Sequence, residues 1–360
     1  MADYDAVLLV SFGGPEGPHD VIPFLENVTR GRNIPLDRLA EVGEHYQLFG
    51  GISPINSQNR ALLGAVRSAM DEAGLALPLY WGNRNWAPYL RDAVERMRAD
   101  GVRRALAFVT SAYSSYSGCR QYRENLHDAL VDTGNPSELA IDRIRQYFDH
   151  PGFIEPFVDA TIEALAEIPP DVQDGAALVF TTHSLPTAQA DSSGLLEGPG
   201  GAYVAQHRAA AGLVADRVAA DTGIARRWDL VFQSRSGSPS QPWLGPDVSE
   251  HLEALVADRT SAAVVVPIGF VSDHLEVIYD LDTLAKQTAD VLGLPFARAA
   301  TPGTDPRFVS MVVDLIKERI EEVPDWGRRA LSPLGPWRDV CSRGCCPNPR
   351  GGRPAVAGMD

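Results

Sequence analysis

Short runs of β-branched and aliphatic residues recur along the chain, and between them apolar residues return at three- and four-residue spacing. The runs at 5–12, 78–82, 104–110, 176–182, 228–233 and 262–268 read as buried strands. The segments 20–29, 57–73, 89–99, 122–132, 156–166, 203–221, 247–257 and 307–320 read as helices, separated from the strands by Gly and Pro, as at Gly13-Gly14-Pro15. Alternation of this regularity predicts an α/β fold: parallel sheets flanked by helices, in two similar lobes with a cleft between them. The expected boundaries are 1–150 and 151–300 for the lobes, 301–330 for a helix packing back on them, and 331–360 for a cysteine-containing tail. That tail is rich in Pro, Gly and Arg, so it should bury little and stay loose unless its cysteines pin it.

Two strand ends carry candidate chemistry. Val264-Val265-Val266-Pro267-Ile268-Gly269 opens into a helix bearing Asp273, Glu276 and Asp280, which at i, i+3 and i+7 share one face. Stacked like charges cost a helix a few tenths of a kcal/mol per pair, so such a face is either simply solvated or visited by a cation. The second strand, 176–182, ends at His183. A histidine there is either a satisfied structural residue or a ligand. If the two strands are parallel neighbours, His183 and Glu276 meet at one rim of the sheet, where open α/β folds bind ligands. An imidazole facing carboxylates suits ferrous iron and suits proton abstraction near neutral pH.

Other strand-end loops mix aromatics and hydroxyls: Tyr46 to Asn56 with Ser53, Thr110 to Tyr122, and Trp81, Asn83, Asn85 and Trp86. These are either ordinary loop content or a pocket, and their recurrence at several strand ends favours a pocket suited to a planar aromatic ligand with carboxylate arms. No phosphate-binding Gly-x-x-x-x-Gly-Lys-Ser/Thr loop, dinucleotide fingerprint or Gly-x-Ser-x-Gly elbow is present, and the polar stretch 234–238 reads as a turn.

At 360 residues two α/β domains are expected. A net charge of −15 argues against nucleic acid and anionic membrane surfaces, and no apolar run approaches the ~20 residues that span a bilayer. The acidic start of the chain enters a strand directly, unlike a signal peptide, so a cytoplasmic protein is expected, with monomer the favoured state. Cys119 stands alone while Cys341, Cys345 and Cys346 crowd together. Four free thiols or a thiolate-held metal or iron–sulfur group are the open readings; the spacing matches no common zinc finger.

Leu8-Leu9-Val10-Ser11-Phe12-Gly13-Gly14-Pro15, Gly50-Gly51-Ile52-Ser53-Pro54, Thr182-His183-Ser184-Leu185-Pro186, Gln233-Ser234, Pro242-Trp243-Leu244-Gly245-Pro246-Asp247 and Gly269-Phe270-Val271-Ser272-Asp273-His274-Leu275-Glu276 resemble the ferrochelatase family over about 1–325, most nearly its actinobacterial branch. The resemblance implies two Rossmann-like lobes with four-stranded parallel sheets and insertion of Fe²⁺, the metal substrate, into a porphyrin. In this branch the porphyrin is coproporphyrin III. It implies that His183 and Glu276 are the iron-binding, catalytic pair and that Ser53 and Tyr122 touch the tetrapyrrole. Phe12 stands where some relatives have a tyrosine. Thr29 and His45 replace arginines that hold propionates elsewhere, leaving Arg30 as the nearby candidate. Some members hold a 2Fe–2S cluster on four cysteines, which Cys119, Cys341, Cys345 and Cys346 resemble. The competing readings are a protoporphyrin IX ferrochelatase, a chelatase for cobalt or nickel, and a tetrapyrrole carrier without chemistry.

Overall fold

A computed structural model describes residues 3–31, 34–236 and 240–359; Gly237 and Ser238 of the polar stretch lie outside the described residues. The first sheet contains β1 (Ala6–Ser11), β2 (Leu79–Asn83), β3 (Arg104–Val109) and β4 (Ala140–Arg143), in the order β2-β1-β3-β4 and all parallel. The second contains β5 (Ala176–His183), β6 (Trp228–Gln233), β7 (Ala262–Val266) and β8 (Phe296–Arg298), ordered β6-β5-β7-β8, again all parallel. In each sheet the chain winds outward in opposite directions from the first strand. That reversal opens a crevice at the carboxyl ends of β1/β3 and of β5/β7.

Helices α1 (Val21–Thr29), α2 (Leu36–Gln47), α3 (Ile55–Glu72), α4 (Leu90–Ala99) and α5 (Gln121–Asp132) surround the first sheet. The second carries α6 (Pro151–Glu167), α7 (Thr187–Asp191), α8 (Gly201–Thr222) and α9 (Val248–Ala257). It also carries a composite helix in which α10 (Leu275–Val277) widens into a π-helix over Ile278–Ala285 and narrows again into α11 (Lys286–Leu292). Finally α12 (Pro306–Ile320) packs against both α3 and α6. No helix among the described residues is long and apolar enough to cross a membrane.

The strands are buried on both faces as the apolar runs require; all six residues of β1 are inaccessible. One apolar cluster runs through both lobes, joining Leu9 and Phe108 to Leu178, Phe180 and Phe308. Polar ties cross the same boundary: Tyr113 Oη donates to Ile268 O at 2.9 Å, and Ser114 N to Gln206 Oε1 at 2.7 Å. The lobes therefore share a core, and the crevice above it has a stiff floor.

Parts of the chain depart from the sequence reading. Helix α2 buries Leu39, Gly43 and Tyr46, a helical stripe whose glycine hides the periodicity; a Cβ at Gly43 would stand 3.1 Å from Ile22. Strands β4 and β8 are four and three residues long, and their charged residues break the apolar signal. The tail is not loose. Trp337 is 5% exposed, Cys341, Cys345 and Cys346 are buried, Leu331 N donates to Asp149 O, and Val356 N donates to Arg123 O. Polar anchoring of this kind leaves no trace in apolar composition.

Candidate active site

β5 delivers His183 to the rim of the second sheet. His183 Nδ1 lies 2.5 Å from Ser184 O. A carbonyl only accepts, so Nδ1 carries the proton and Nε2 presents its lone pair outward. Tyr203 of α8 fixes the strand end by donating its hydroxyl to His183 O at 2.7 Å, while its oxygen also lies 2.9 Å from Thr182 Oγ1.

The neighbouring strand β7 leads through Gly269 to the composite helix. Glu276 Oε2 stands 3.9 Å from His183 Nε2, and both side chains remain partly exposed. One turn on, Asp280 accepts from Ser234 Oγ and, at 3.3 Å, from Gln233 Nε2 at the end of β6. Burial lifts the Asp280 carboxyl to about 6; the Ser234 bond opposes the rise, and the Glu276 charge adds to it. π-Helical turns occur often at functional sites, and this one starts between Glu276 and Asp280. Asp273 does not share their face. It precedes the helix, pairs with Arg298 at 3.2 Å and bonds Thr301, so the predicted acidic triad is a pair.

In the first lobe Arg84 packs against the rings of Phe12 and Tyr122, the latter buried. The Arg84 guanidinium carbon lies 5.4 Å from the Phe12 ring centre and 5.0 Å from that of Tyr122, and Nη1 donates to Ser117 O at 3.2 Å. Burial raises the Tyr122 phenol, and Arg84 pulls it back. Sequence reasoning named the residues around Arg84 and missed the arginine. Its signal was a cation directly after a buried strand.

The remaining candidates divide. Tyr46 is buried against Phe24 with ring centres 5.9 Å apart, and burial followed by the Glu276 charge raises its phenol, so it lies behind the rim that carries Glu276. Ser53 is buried against Gly14, where a Cβ would come within 2.7 Å of Ser53 Cβ. Arg30 is exposed at the end of α1, bonded to Asn27 Oδ1 at 2.5 Å. Thr29 turns its hydroxyl back onto Leu25 O. His45 stacks on Tyr279 at 4.1 Å, joining α2 to the π-helix of the other lobe. Tyr113, Tyr116, Trp81 and Asn83 are buried: Tyr113 ties the lobes, Tyr116 bonds Glu124, and Trp81 bonds Asn83. They serve the frame of the crevice.

The family model described as Ferrochelatase matches residues 4–320. The chain belongs to the ferrochelatase family. It is 57% identical over 365 residues to the coproporphyrin III ferrochelatase of Streptomyces griseus, covering 100% of this chain and 97% of the relative. It is 58% identical to the Streptomyces coelicolor protein of that name, covering 99% and 96%, and 47% identical to the ferrochelatase of Rhodopirellula baltica, covering 99% of both. Among solved structures, SirB from Bacillus subtilis with Fe³⁺ superimposes with a TM-score of 0.53 at 10% identity, covering 92% of this chain and 100% of SirB. At that identity the likeness is one of fold: two α/β lobes facing across a crevice.

The ferrochelatase match ends before the last three cysteines, yet the structure gathers all four into one buried cluster. Cys119 and Cys341 sulfurs lie 3.9 Å apart, as do those of Cys345 and Cys346, far beyond disulfide length. No three or more His, Cys, Asp or Glu side chains among the described residues are arranged to hold one metal ion. The donor set nonetheless fits a larger thiolate-bound group. Gly194 N donates to Cys346 Sγ at 3.3 Å, and buried Arg143 donates to Cys119 Sγ at 2.7 Å and reaches Cys341 Sγ at 3.6 Å. A buried cation against sulfur favours thiolates.

Proposed function

We propose that this chain inserts ferrous iron into coproporphyrin III, giving iron-coproporphyrin III and two protons. The observation that carries the reading is the His183–Glu276 approach of 3.9 Å at the crevice of a ferrochelatase-family fold. Coproporphyrin III as the porphyrin rests on the names of the actinobacterial relatives at 50–58% identity.

Metallation removes two pyrrole N–H protons as Fe²⁺ enters. His183 Nε2, with its lone pair free of the Nδ1 hydrogen bond, accepts a pyrrole proton, and once that proton has passed on, the same lone pair can contact the iron. Glu276, partly exposed beside it, binds incoming Fe²⁺ and stabilises the imidazolium formed. Asp280, at about 6, takes protons onward from the pair, because its affinity lies close to ambient pH. Phe12 and Tyr122 offer ring faces to the macrocycle, with Ser53 and Tyr46 behind them and Arg84 supplying positive charge for the carboxylate arms. Arg30 has the reach of an exposed arm at the edge. We assign Cys119, Cys341, Cys345 and Cys346 to a 2Fe–2S cluster, which when bound supplies one-electron redox chemistry and a covalent anchor for the tail. We read the protein as a cytoplasmic monomer; its net charge of −15 disfavours anionic membrane surfaces.

The test is anaerobic. The protein is given Fe²⁺ with coproporphyrin III or protoporphyrin IX in parallel, and porphyrin fluorescence is followed. Fast loss with coproporphyrin III alone is expected. Preference for protoporphyrin IX would overturn the substrate, and tight binding without iron-dependent quenching would make the protein a carrier.

A further inference from the structure

Arg143 closes β4 and is 4% exposed. Its Nη1 donates to Cys119 Sγ at 2.7 Å, and its Nη2 lies 3.1 Å from Gln146 Oε1 and 3.6 Å from Cys341 Sγ. Among the described residues no carboxylate pairs with it, and its side-chain partners are the two sulfurs and Gln146. A second cation reinforces the field. Arg123 of α5 is 1% exposed and gives Nε to Val356 O at 2.6 Å, while its Nη1 and Nη2 have no hydrogen-bond partner. Buried charges without carboxylates are rare because desolvation is costly. Two beside one cysteine cluster mark a pocket built for net negative charge.

We propose that Arg143 tunes the reduction potential of the group held by the four cysteines, raising it by stabilising the added electron. The inference rests on the 2Fe–2S reading. A 2Fe–2S core with four thiolates carries a net charge of −2 when oxidised. One electron from an external one-electron donor takes it to −3, with no proton moved and no bond broken. Hydrogen bonds to the sulfurs and nearby positive charge favour the more negative form, and burial strengthens both effects. Arg143 supplies the hydrogen bonds and Arg123 adds charge. Arg143 is thus a positioning residue, acting through the ligand sulfurs.

The full chain is purified anaerobically and reconstituted with iron and sulfide. It is then titrated with dithionite while visible absorption and low-temperature electron paramagnetic resonance are followed. In Arg143→Gln, which keeps hydrogen-bonding capacity and loses the charge, the reduced-to-oxidised ratio at the wild-type midpoint is expected to fall about tenfold. For a one-electron couple that is a shift of about 59 mV to more negative potential. Arg143→Lys keeps the charge without the fork and should shift less, in the same direction. An unchanged midpoint in Arg143→Gln overturns the proposal. If that variant loses its cluster on isolation, Arg143→Lys decides: a negative shift supports the tuning role, and a wild-type midpoint overturns it. A wild-type chain with neither cluster absorption nor a resonance signal overturns the cluster reading itself, an outcome separate from an unmoved potential.

Discussion

His183 Nε2 and Glu276 Oε2 face each other at 3.9 Å because β5 and β7 are hydrogen-bonded neighbours whose carboxyl ends open on the same crevice. Neither element alone makes a metal or proton site. If the pair is the reactive centre, His183→Ala removes the proton acceptor and should lower turnover by at least about 10²-fold, the low end for a positioned base. Porphyrin binding, measured by fluorescence titration without iron, should change little. Glu276→Gln keeps shape and loses charge, so its main loss should appear as a higher requirement for Fe²⁺. Full activity in either variant would remove that residue from the mechanism.

Asp280 adds a pH signature. Its carboxyl is raised to about 6 in the folded protein. Below that pH it is protonated and cannot accept a proton, so turnover should decline as pH falls through about 6. Asp280→Asn should show a lower plateau without that limb. Stability responds as well. Between the ordinary carboxyl value and 6 the folded state holds a proton that the unfolded chain has released, so Asp280 costs stability as pH rises through this window. At pH 7 Asp280→Asn should therefore melt higher than the parent, which a thermal scan would reveal; a lower melting temperature would contradict the assigned shift.

Arg84 lies between the ring faces of Phe12 and Tyr122, with contact distances of 5.4 and 5.0 Å. Arg84→Leu keeps apolar bulk and removes the cation. The expected result is about tenfold weaker binding of a tetracarboxylate porphyrin, corresponding to ~1.4 kcal/mol, with a smaller loss for a dicarboxylate one. Equal losses for both porphyrins would mean that Arg84 merely supports the Phe12 and Tyr122 rings.

Most of the frame was legible in the sequence because parallel strands buried on both faces read as continuous apolar runs, and six of the eight did so. β4 and β8 escaped for want of length. His183 and Glu276 could be brought to one rim from strand adjacency alone. Asp273 leaves the acidic face because the helix begins after it: the chain is still extended at His274 and turns helical at Leu275. Arg84 was missed because its significance lies in what stacks on it: Phe12 and Tyr122 come from other parts of the chain. The tail and its cysteines were half legible. Spacing raised a thiolate site, but Arg143 and Gly194, which contact the sulfurs, carry no sequence signature of that role.

Behind the site, His207 is fully buried, stacked on Tyr113 at 3.5 Å and bonded to Thr182 and to Tyr203 O. Burial lowers it to about 3, and His150 likewise. Each is neutral in the fold and takes a proton in the unfolded chain below about 6.5. Stability present above that value should be lost as pH falls toward 3, by up to about 1.4 kcal/mol per pH unit for each histidine. Urea midpoints measured from pH 7 to pH 4 should fall accordingly. In His207→Gln, which keeps hydrogen-bonding capacity without titrating, the slope should be shallower, and an unchanged slope would assign the acid sensitivity elsewhere.

The approach of β7's exit loop to β5 leaves room for no side chain. A Cβ at Gly269 would stand 2.9 Å from Thr182 Cα, with Thr182 Cβ and Oγ1 closer still, beside the residue that carries the imidazole. Gly269→Ala must push Thr182 or its own loop aside, at a cost of about 1–3 kcal/mol. Since Thr182 is held by Tyr203 and His207, the displacement should propagate to His183. The variant should then lose kcat with little change in KM for porphyrin, because Phe12, Arg84 and Tyr122 are untouched. Gly64 in α3 is the control: nothing lies within 4 Å of an added Cβ, and Gly64→Ala should stabilise the helix by about 0.5–1 kcal/mol without altering kcat. If Gly269→Ala kept full kcat while losing stability, the strand end that carries His183 would be more compliant than its hydrogen bonds indicate.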